Sequence, residues 1–150
     1  MERIVAWENL CAAYGLARQG RHHRCNIQSS LDELVSWLEQ LASEIAHGFV
    51  EVGRVHRFVI HDPKRRIISA APFRERVLHH AMMRIAGPHL ERRSIGDSYA
   101  CRPNKGVHRA RARAQEFSRR FEWFLKLDVR KYFDSVRHDV LVLGHLIQKY

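Results

Sequence analysis

An apolar, β-prone run that ends on a single carboxylate constrains the fold of this 150-residue chain more than any other feature. The run predicts a central strand that is buried on both faces. Asp128 lies near its end, where a carboxylate without a partner would be costly, so we expect it to be paired or to bind a metal ion. The apolar members of the run are Phe121, Trp123, Phe124, Leu125, Leu127 and Val129.

The residues alone leave the role of each aspartate open. Asp128 can equally be an ordinary residue at a strand end or a turn former. Downstream, residues 134–138 have the composition of a helix start, with Asp134 or Ser135 as the N-cap. For Asp134 the capping role is favoured over a catalytic one.

Length and composition indicate a folded domain. A chain of this length can bury a substantial core, and its 45% of hydrophobic residues argue against disorder. No apolar run approaches the roughly 18 residues of a membrane span, and the first residues lack the pattern of a secretory signal. Cys11, Cys25 and Cys101 are widely separated, which favours reduced thiols over disulfides or zinc. We therefore expect a cytoplasmic protein with no membrane partner.

Charge is distributed unevenly along the chain. Residues 1–50 hold four Lys and Arg against six Asp and Glu, whereas residues 51–150 hold 22 against 10. Such an excess attracts polyphosphate, and its richness in arginine suits bidentate phosphate contacts. Nucleic acid is therefore the favoured partner, and a solvated basic face is the alternative. The basic residues form two clusters, Arg54, Arg57, Lys64, Arg65 and Arg66, and then Arg102, Lys105, Arg109, Arg111, Arg113, Arg119 and Arg120.

Hydrophobic periodicity predicts helices before and after a β-hairpin. The second predicted helix opens on a capping box at 30–33, places Leu31, Leu34, Leu38, Leu41 and Ile45 in the core, and ends at Gly48. Residues 94–106 have the composition of a loop. The other predicted helices cover about 6–18, the segment from Pro72 to the break at Gly87-Pro88, and the basic segment from Gly106 to about Arg120.

The predicted hairpin turns at Asp62-Pro63-Lys64 and carries Lys64, Arg65 and Arg66 at its tip. A cationic finger of this kind can grip a triphosphate or a template backbone. It can equally be an edge hairpin whose charges prevent aggregation.

Three blocks of sequence, taken in order, resemble bacterial reverse transcriptases of the retroelement type, the relatives of group II intron, retron and diversity-generating enzymes. Residues 62–81 are similar to the first fingers motif, residues 97–110 to the next block, and residues 125–138 to the first palm motif. The segment 7–21 suits the N-terminal extension of that family. The resemblance implies an α+β fold with the fingers of a right-hand polymerase and the beginning of the palm. It divides the chain into an N-terminal helical extension (1–50), fingers (51–121) and the start of the palm (122–150).

The resemblance also implies roles for individual residues. In the palm motif, Asp128 matches the first metal-binding aspartate, and the carbonyl of Val129 is a further metal contact. Phe133 matches the aromatic residue that prefers deoxynucleotides. Such a site uses two Mg²⁺ ions for in-line displacement. In the fingers, Lys64 and Arg66, with Arg65 as their neighbour, match residues that approach the incoming dNTP, and Arg102, Lys105 and Gly106 match the block that follows the template.

The function implied by the resemblance is RNA-directed DNA polymerisation, in which a nucleotide is transferred from a dNTP to a primer 3′-hydroxyl. The expected partners are an RNA template, a DNA primer and a structured cognate RNA. The Tyr-x-Asp-Asp turn of the family does not follow Asp128. We therefore expect an N-terminal portion of the enzyme that is inactive in isolation. The alternative is a non-enzymatic basic RNA- or DNA-binding protein that retains a fingers scaffold.

Overall fold

The computed structural model of the chain describes residues 2–19, 31–137 and 139–140, apart from the side chains of Phe133 and Asp134. These residues combine helices with a small two-stranded antiparallel sheet, which confirms the predicted α+β class. The chain forms two compact units, Met1–Gly96 and Asp97–Tyr150. The elements in chain order are α1 (Glu2–Val5), α2 (Trp7–Arg18), α3 (Leu31–His47), β1 (His56–His61), β2 (Arg65–Ala70), α4 (Phe73–Arg93), α5 (Val107–Arg120) and α6 (Tyr132–Ser135).

The core of the first unit lies between α2, α3 and α4. The buried residues of helix α2 recur at helical spacing, so they lie on one face of the helix, and this face packs against the core. Tyr14 meets Trp37 and Phe73 edge-on or nearly so, with ring centroids 6.1 and 5.5 Å away. The buried apolar residues are Leu10, Ala13, Tyr14, Ala17, Leu38, Leu41, Ile45, Val77, Leu78 and Ala81.

Helix α3 confirms most of the predicted leucine face. Leu38, Leu41 and Ile45 are buried and Leu34 is half-buried. Leu31 is 80% exposed, so its assignment to the core was wrong. Leu31 is the first residue of the helix and lies outside the core cluster, whereas Leu34, one turn later, packs against it. Ser30, the predicted N-cap, lies outside the described residues.

Helix α4 continues through the predicted break at Gly87-Pro88 and ends at Arg93, so that prediction was wrong. Pro88 removes one backbone donor, at a cost of about 3 kcal/mol, but does not end the helix. Side chains near the C-terminal end of α4 form hydrogen bonds that stabilise the helical turns after Pro88. The hydroxyl of Ser94 donates to the carbonyl of Leu90 at 2.9 Å, and Arg92 donates to His89 at 2.8 Å.

Strands β1 and β2 pair in antiparallel register, with Val59 opposite Ile67 at the centre and His61 opposite Arg65 next to the turn. None of the described helices packs against either strand. The hairpin is therefore a two-stranded arm of the first unit, and its sheet ends at β1 and β2 among the described residues.

The predicted palm strand is not a strand in the structure. Residues 121–129 have no regular secondary structure, and every one of them is exposed. A strand is stabilised by its ladder partners, and the described part of the chain contains only the β1–β2 ladder. The β-propensity of the run is thus insufficient without a neighbouring strand.

The predicted N-cap at Asp134 or Ser135 was also wrong, because both residues lie inside the short helix α6. The N-cap is Lys131, in the left-handed conformation with φ of 51°, so the helix begins at least three residues earlier than expected. The Ser135 hydroxyl donates instead to the carbonyl of Tyr132 at 2.8 Å.

None of the described helices combines the length and the apolar character that crossing a membrane requires.

Candidate nucleic-acid interface

The hairpin tip presents three adjacent cations, but the strand geometry separates two of them. Lys64, Arg65 and Arg66 are all exposed. Arg65 pairs with His61 and Arg66 pairs with Ile60. Because successive side chains of a strand point to opposite faces, Arg65 and Arg66 emerge on opposite sides of the hairpin. One triphosphate on one face therefore cannot be held by both arginines through equivalent contacts.

The three residues predicted to follow the template lie in one turn-rich loop, residues 97–106. The amide of Gly106 donates to the carbonyl of Tyr99 at 3.1 Å, and the amide of Lys105 donates to the carbonyl of Arg102 at 3.3 Å. The guanidinium of Arg102 donates to the carbonyl of Ser98 at 3.0 Å. The Lys105 ammonium lies 5.0 Å from the centroid of the Tyr99 ring. Arg102 and Lys105 thus stiffen the loop that carries them.

Gly106 has a conformational reason to be glycine. Its φ of 97° is one that L side chains rarely adopt, although a Cβ at this position would meet no neighbouring atom within 4 Å. The glycine therefore allows the chain to turn from the loop into α5, which begins at the next residue. The sequence resemblance assigned Gly106 to the block that follows the template, and the structure adds a backbone reason for glycine at this position.

An ion-pair cluster joins the loop to α5. The sequence did not predict this cluster. Arg113 donates from Nε to Asp97 at 3.1 Å and from Nη1 to Glu116 at 2.7 Å. The Tyr99 hydroxyl donates to Asp97 at 2.9 Å. The hydrogen bonds that Asp97 accepts from Arg113 and Tyr99 lower its pKa below the usual value, and the hydrogen bonds that Arg113 donates to Glu116 and Asp97 raise the pKa of Arg113. Arg113, predicted as part of a polyphosphate-attracting cluster, is largely engaged in holding the loop.

The pair Asp97–Arg113 was invisible to sequence reasoning because 16 residues separate its members. Only the contact between Arg113 and Glu116, three residues apart on the helix, has a local signal.

Helix α5 presents further cations of the second unit. Arg109, Arg111, Arg119 and Arg120 are exposed. The Arg120 guanidinium lies 5.4 Å from the centroid of the Phe121 ring. Exposed arginines on and beside aromatic rings are a common feature of surfaces that bind single-stranded nucleic acid. The second unit thus has a cationic helix next to the stiffened loop.

Asp128 and Val129 lie in the exposed segment that follows α5, and Phe133 lies in α6. Among the described residues, no group of three or more His, Cys, Asp and Glu side chains is arranged to hold a metal ion. The residues described here therefore do not by themselves fit a site for two Mg²⁺ ions, since such a site needs several carboxylates in register. The predicted metal role of Asp128 and Val129 stays a prediction.

No protein-family model matches the chain, and no significant match is found among curated proteins.

Proposed function

We propose that the chain is the N-terminal portion of an RNA-directed DNA polymerase of the retroelement type, with the fingers and the beginning of the palm. In the complete protein the reaction is nucleotidyl transfer from a dNTP to a primer 3′-hydroxyl on an RNA template. The isolated chain is expected to bind nucleic acid without extending a primer. The proposal rests first on the sequence motifs at 62–81, 97–110 and 125–138.

The observation that supports it best is the exposed cationic tip of the β1–β2 arm. Lys64 lies in the turn and Arg66 is the second residue of the return strand, and both are exposed, so both can reach a polyanion without displacing a packed neighbour. Cations with this freedom suit the triphosphate of a nucleotide, whose charge they would neutralise. Because Arg65 emerges on the other face, Lys64 and Arg66 are the pair assigned to the dNTP.

Loop 97–106 gives the second support. Its internal hydrogen bonds and the Asp97–Arg113 pair hold Arg102, Lys105 and Gly106 in one short segment. A preformed loop loses little conformational entropy when it binds, which favours contacts with a template backbone. In this proposal Asp128 is a ligand for catalytic metal, and the remaining carboxylates have to come from other residues of the complete protein.

Titration of the chain with a dNTP tests the tip assignment, with amide chemical shifts read by NMR. The expected result is a saturable shift at Lys64 and Arg66 that the corresponding monophosphate does not produce. Lys64→Gln with Arg66→Gln should abolish the saturable shift, whereas Arg3→Gln with Arg18→Gln removes the same charge from exposed sites on α1 and α2 and should leave it intact. Equal shifts with the monophosphate, or none at the tip, would refute the assignment.

The alternative function is that of a non-enzymatic RNA- or DNA-binding protein. The cationic surfaces of the hairpin and of α5 favour it, because neither requires Asp128 or a metal ion. The two functions differ in one respect that can be measured, which is nucleotide incorporation by the complete gene product.

A further inference from the structure

The β1–β2 arm has a second surface that the polymerase proposal does not use. This surface, here called the Arg57 face, consists of three cross-strand pairs, and all of its side chains are exposed. On the opposite face Ile60, Ile68 and Ala70 are half-buried. The pairs of the Arg57 face are Arg57 with Ser69, Val59 with Ile67, and His61 with Arg65.

The arm has reason to gain stability from a partner. None of the described helices packs against β1 or β2, and an isolated two-stranded hairpin is only marginally stable in water. On the Arg57 face, Val59 is 42% exposed and Ile67 is 66% exposed, directly opposite each other. A ligand that covers this pair would remove apolar surface from water and would also fix the register of the hairpin.

The charges of the Arg57 face specify a polyanion. Arg57 lies at one end, and Arg65 with His61 lies at the other, while neither strand contains a carboxylate. Four residues of strand separate the two ends, which places the two arginines about 14 Å apart along the arm. Cations at this spacing, on either side of an apolar centre, match phosphate rows on the two sides of a nucleic-acid groove better than one compact anion.

The short side chains of Val59 and Ile67, at the centre of the Arg57 face, favour one kind of nucleic-acid groove over another. Valine and isoleucine cannot reach the floor of the B-form major groove, which is about 8.5 Å deep. The minor groove of A-form RNA is wide and shallow, and it presents sugars that small apolar side chains can contact. The face also lacks the Asn and Gln residues that read base edges, so the expected contact is independent of sequence.

We propose that the Arg57 face binds double-stranded RNA across its minor groove, with Arg57 and Arg65 on the flanking phosphates and Val59 and Ile67 over the sugars. This interaction goes beyond the proposed function, because it requires neither a nucleotide nor a metal ion. It assigns Arg65 to RNA binding, apart from Lys64 and Arg66, and it makes the helical part of a structured RNA the partner of the arm.

Binding of an RNA duplex of about 20 base pairs, long enough to offer successive minor grooves, tests this proposal by fluorescence anisotropy at several salt concentrations. Arg57→Gln with Arg65→Gln should weaken binding about tenfold and reduce the slope of log affinity against log salt by about 2. The control pair Arg3→Gln with Arg18→Gln should change both values less. Since all four arginines are exposed, circular dichroism should show unchanged folding.

Three further measurements separate the possible outcomes. Binding of RNA should protect the amides of β1 and β2 from hydrogen exchange in the unsubstituted chain, but not in the Arg57/Arg65 variant. Arg66→Gln should leave the affinity for RNA nearly unchanged but should abolish the saturable NMR shift with dNTP. The two proposals therefore depend on different residues, and failure of one leaves the other testable. An Arg57/Arg65 variant with unaltered RNA affinity, or an equal loss of affinity for B-form DNA of the same sequence, would overturn the assignment.

Discussion

The affinity of the chain for an RNA-template–DNA-primer duplex should fall by about three orders of magnitude as salt rises from about 50 to about 200 mM. Residues 51–150 carry 22 basic residues against 10 acidic ones. Eight of these cations are exposed and lie on the β1–β2 hairpin or on α5, and a loss of this size is expected when about six or more of them contact phosphates. They are Arg57, Lys64, Arg65, Arg66, Arg109, Arg111, Arg119 and Arg120.

Anisotropy titrations over this range of salt give the slope directly. Arg113 provides an internal control, because Asp97 and Glu116 already hold its guanidinium. Arg111→Gln should therefore lower the slope by about 1, while Arg113→Gln should lower it less. An affinity that is insensitive to salt would remove the argument that the basic clusters bind nucleic acid.

Asn9→Ala should destabilise the first unit by about 3 kcal/mol, because it removes a buried network of hydrogen bonds. The Asn9 side chain is 7% exposed. Its amide group donates to the carbonyls of Ile4 and Ala81, both at 3.0 Å, and its oxygen accepts from Nε of Arg84 at 2.9 Å. Truncation leaves the Ala81 carbonyl and part of the Arg84 guanidinium without these partners inside the protein.

Urea unfolding followed by circular dichroism measures this loss. Glu8→Ala removes an exposed side chain from the adjacent position of α2 and should change stability by less than about 0.5 kcal/mol. If Asn9→Ala and Glu8→Ala unfold at the same urea concentration, the buried hydrogen bonds of Asn9 do not connect α1, α2 and α4 as described.

Local signals predicted the elements that depend on local interactions. Leu38, Leu41 and Ile45 recur at helical spacing and are buried in α3. The alternation from Val55 to His61 and the turn at 62–64 predicted the hairpin, because a turn and the two strands beside it are contiguous in sequence. The basic helix was likewise predicted to within a residue at Arg120.

The errors arose where non-local contacts or later residues decide the structure. Pro88 was predicted to end α4, but the helix continues to Arg93, and residues after the proline add hydrogen bonds from Ser94 to Leu90 and from Arg92 to His89. The run around Asp128 was predicted to be a strand, but β-propensity does not supply a ladder partner. For the candidate nucleic-acid interface, the sequence correctly identified the basic residues of the hairpin tip and of α5. It did not predict that Arg65 and Arg66 lie on opposite faces in the final register, although strand alternation contains that information.

Asp128 bears on the central proposal most directly, and nucleotide incorporation is the measurement that tests it. RNA-templated extension of a DNA primer should be compared between the complete gene product and its Asp128→Asn variant in the presence of Mg²⁺. Glu122→Gln, which alters another exposed carboxylate of the same segment, is the matched control. We expect Asp128→Asn to lower extension by about a hundredfold to a thousandfold, the range seen when an essential charge-stabilising group is removed. Glu122→Gln should leave extension nearly unchanged. Extension that survives Asp128→Asn, or a complete gene product that never extends the primer, would contradict the central proposal.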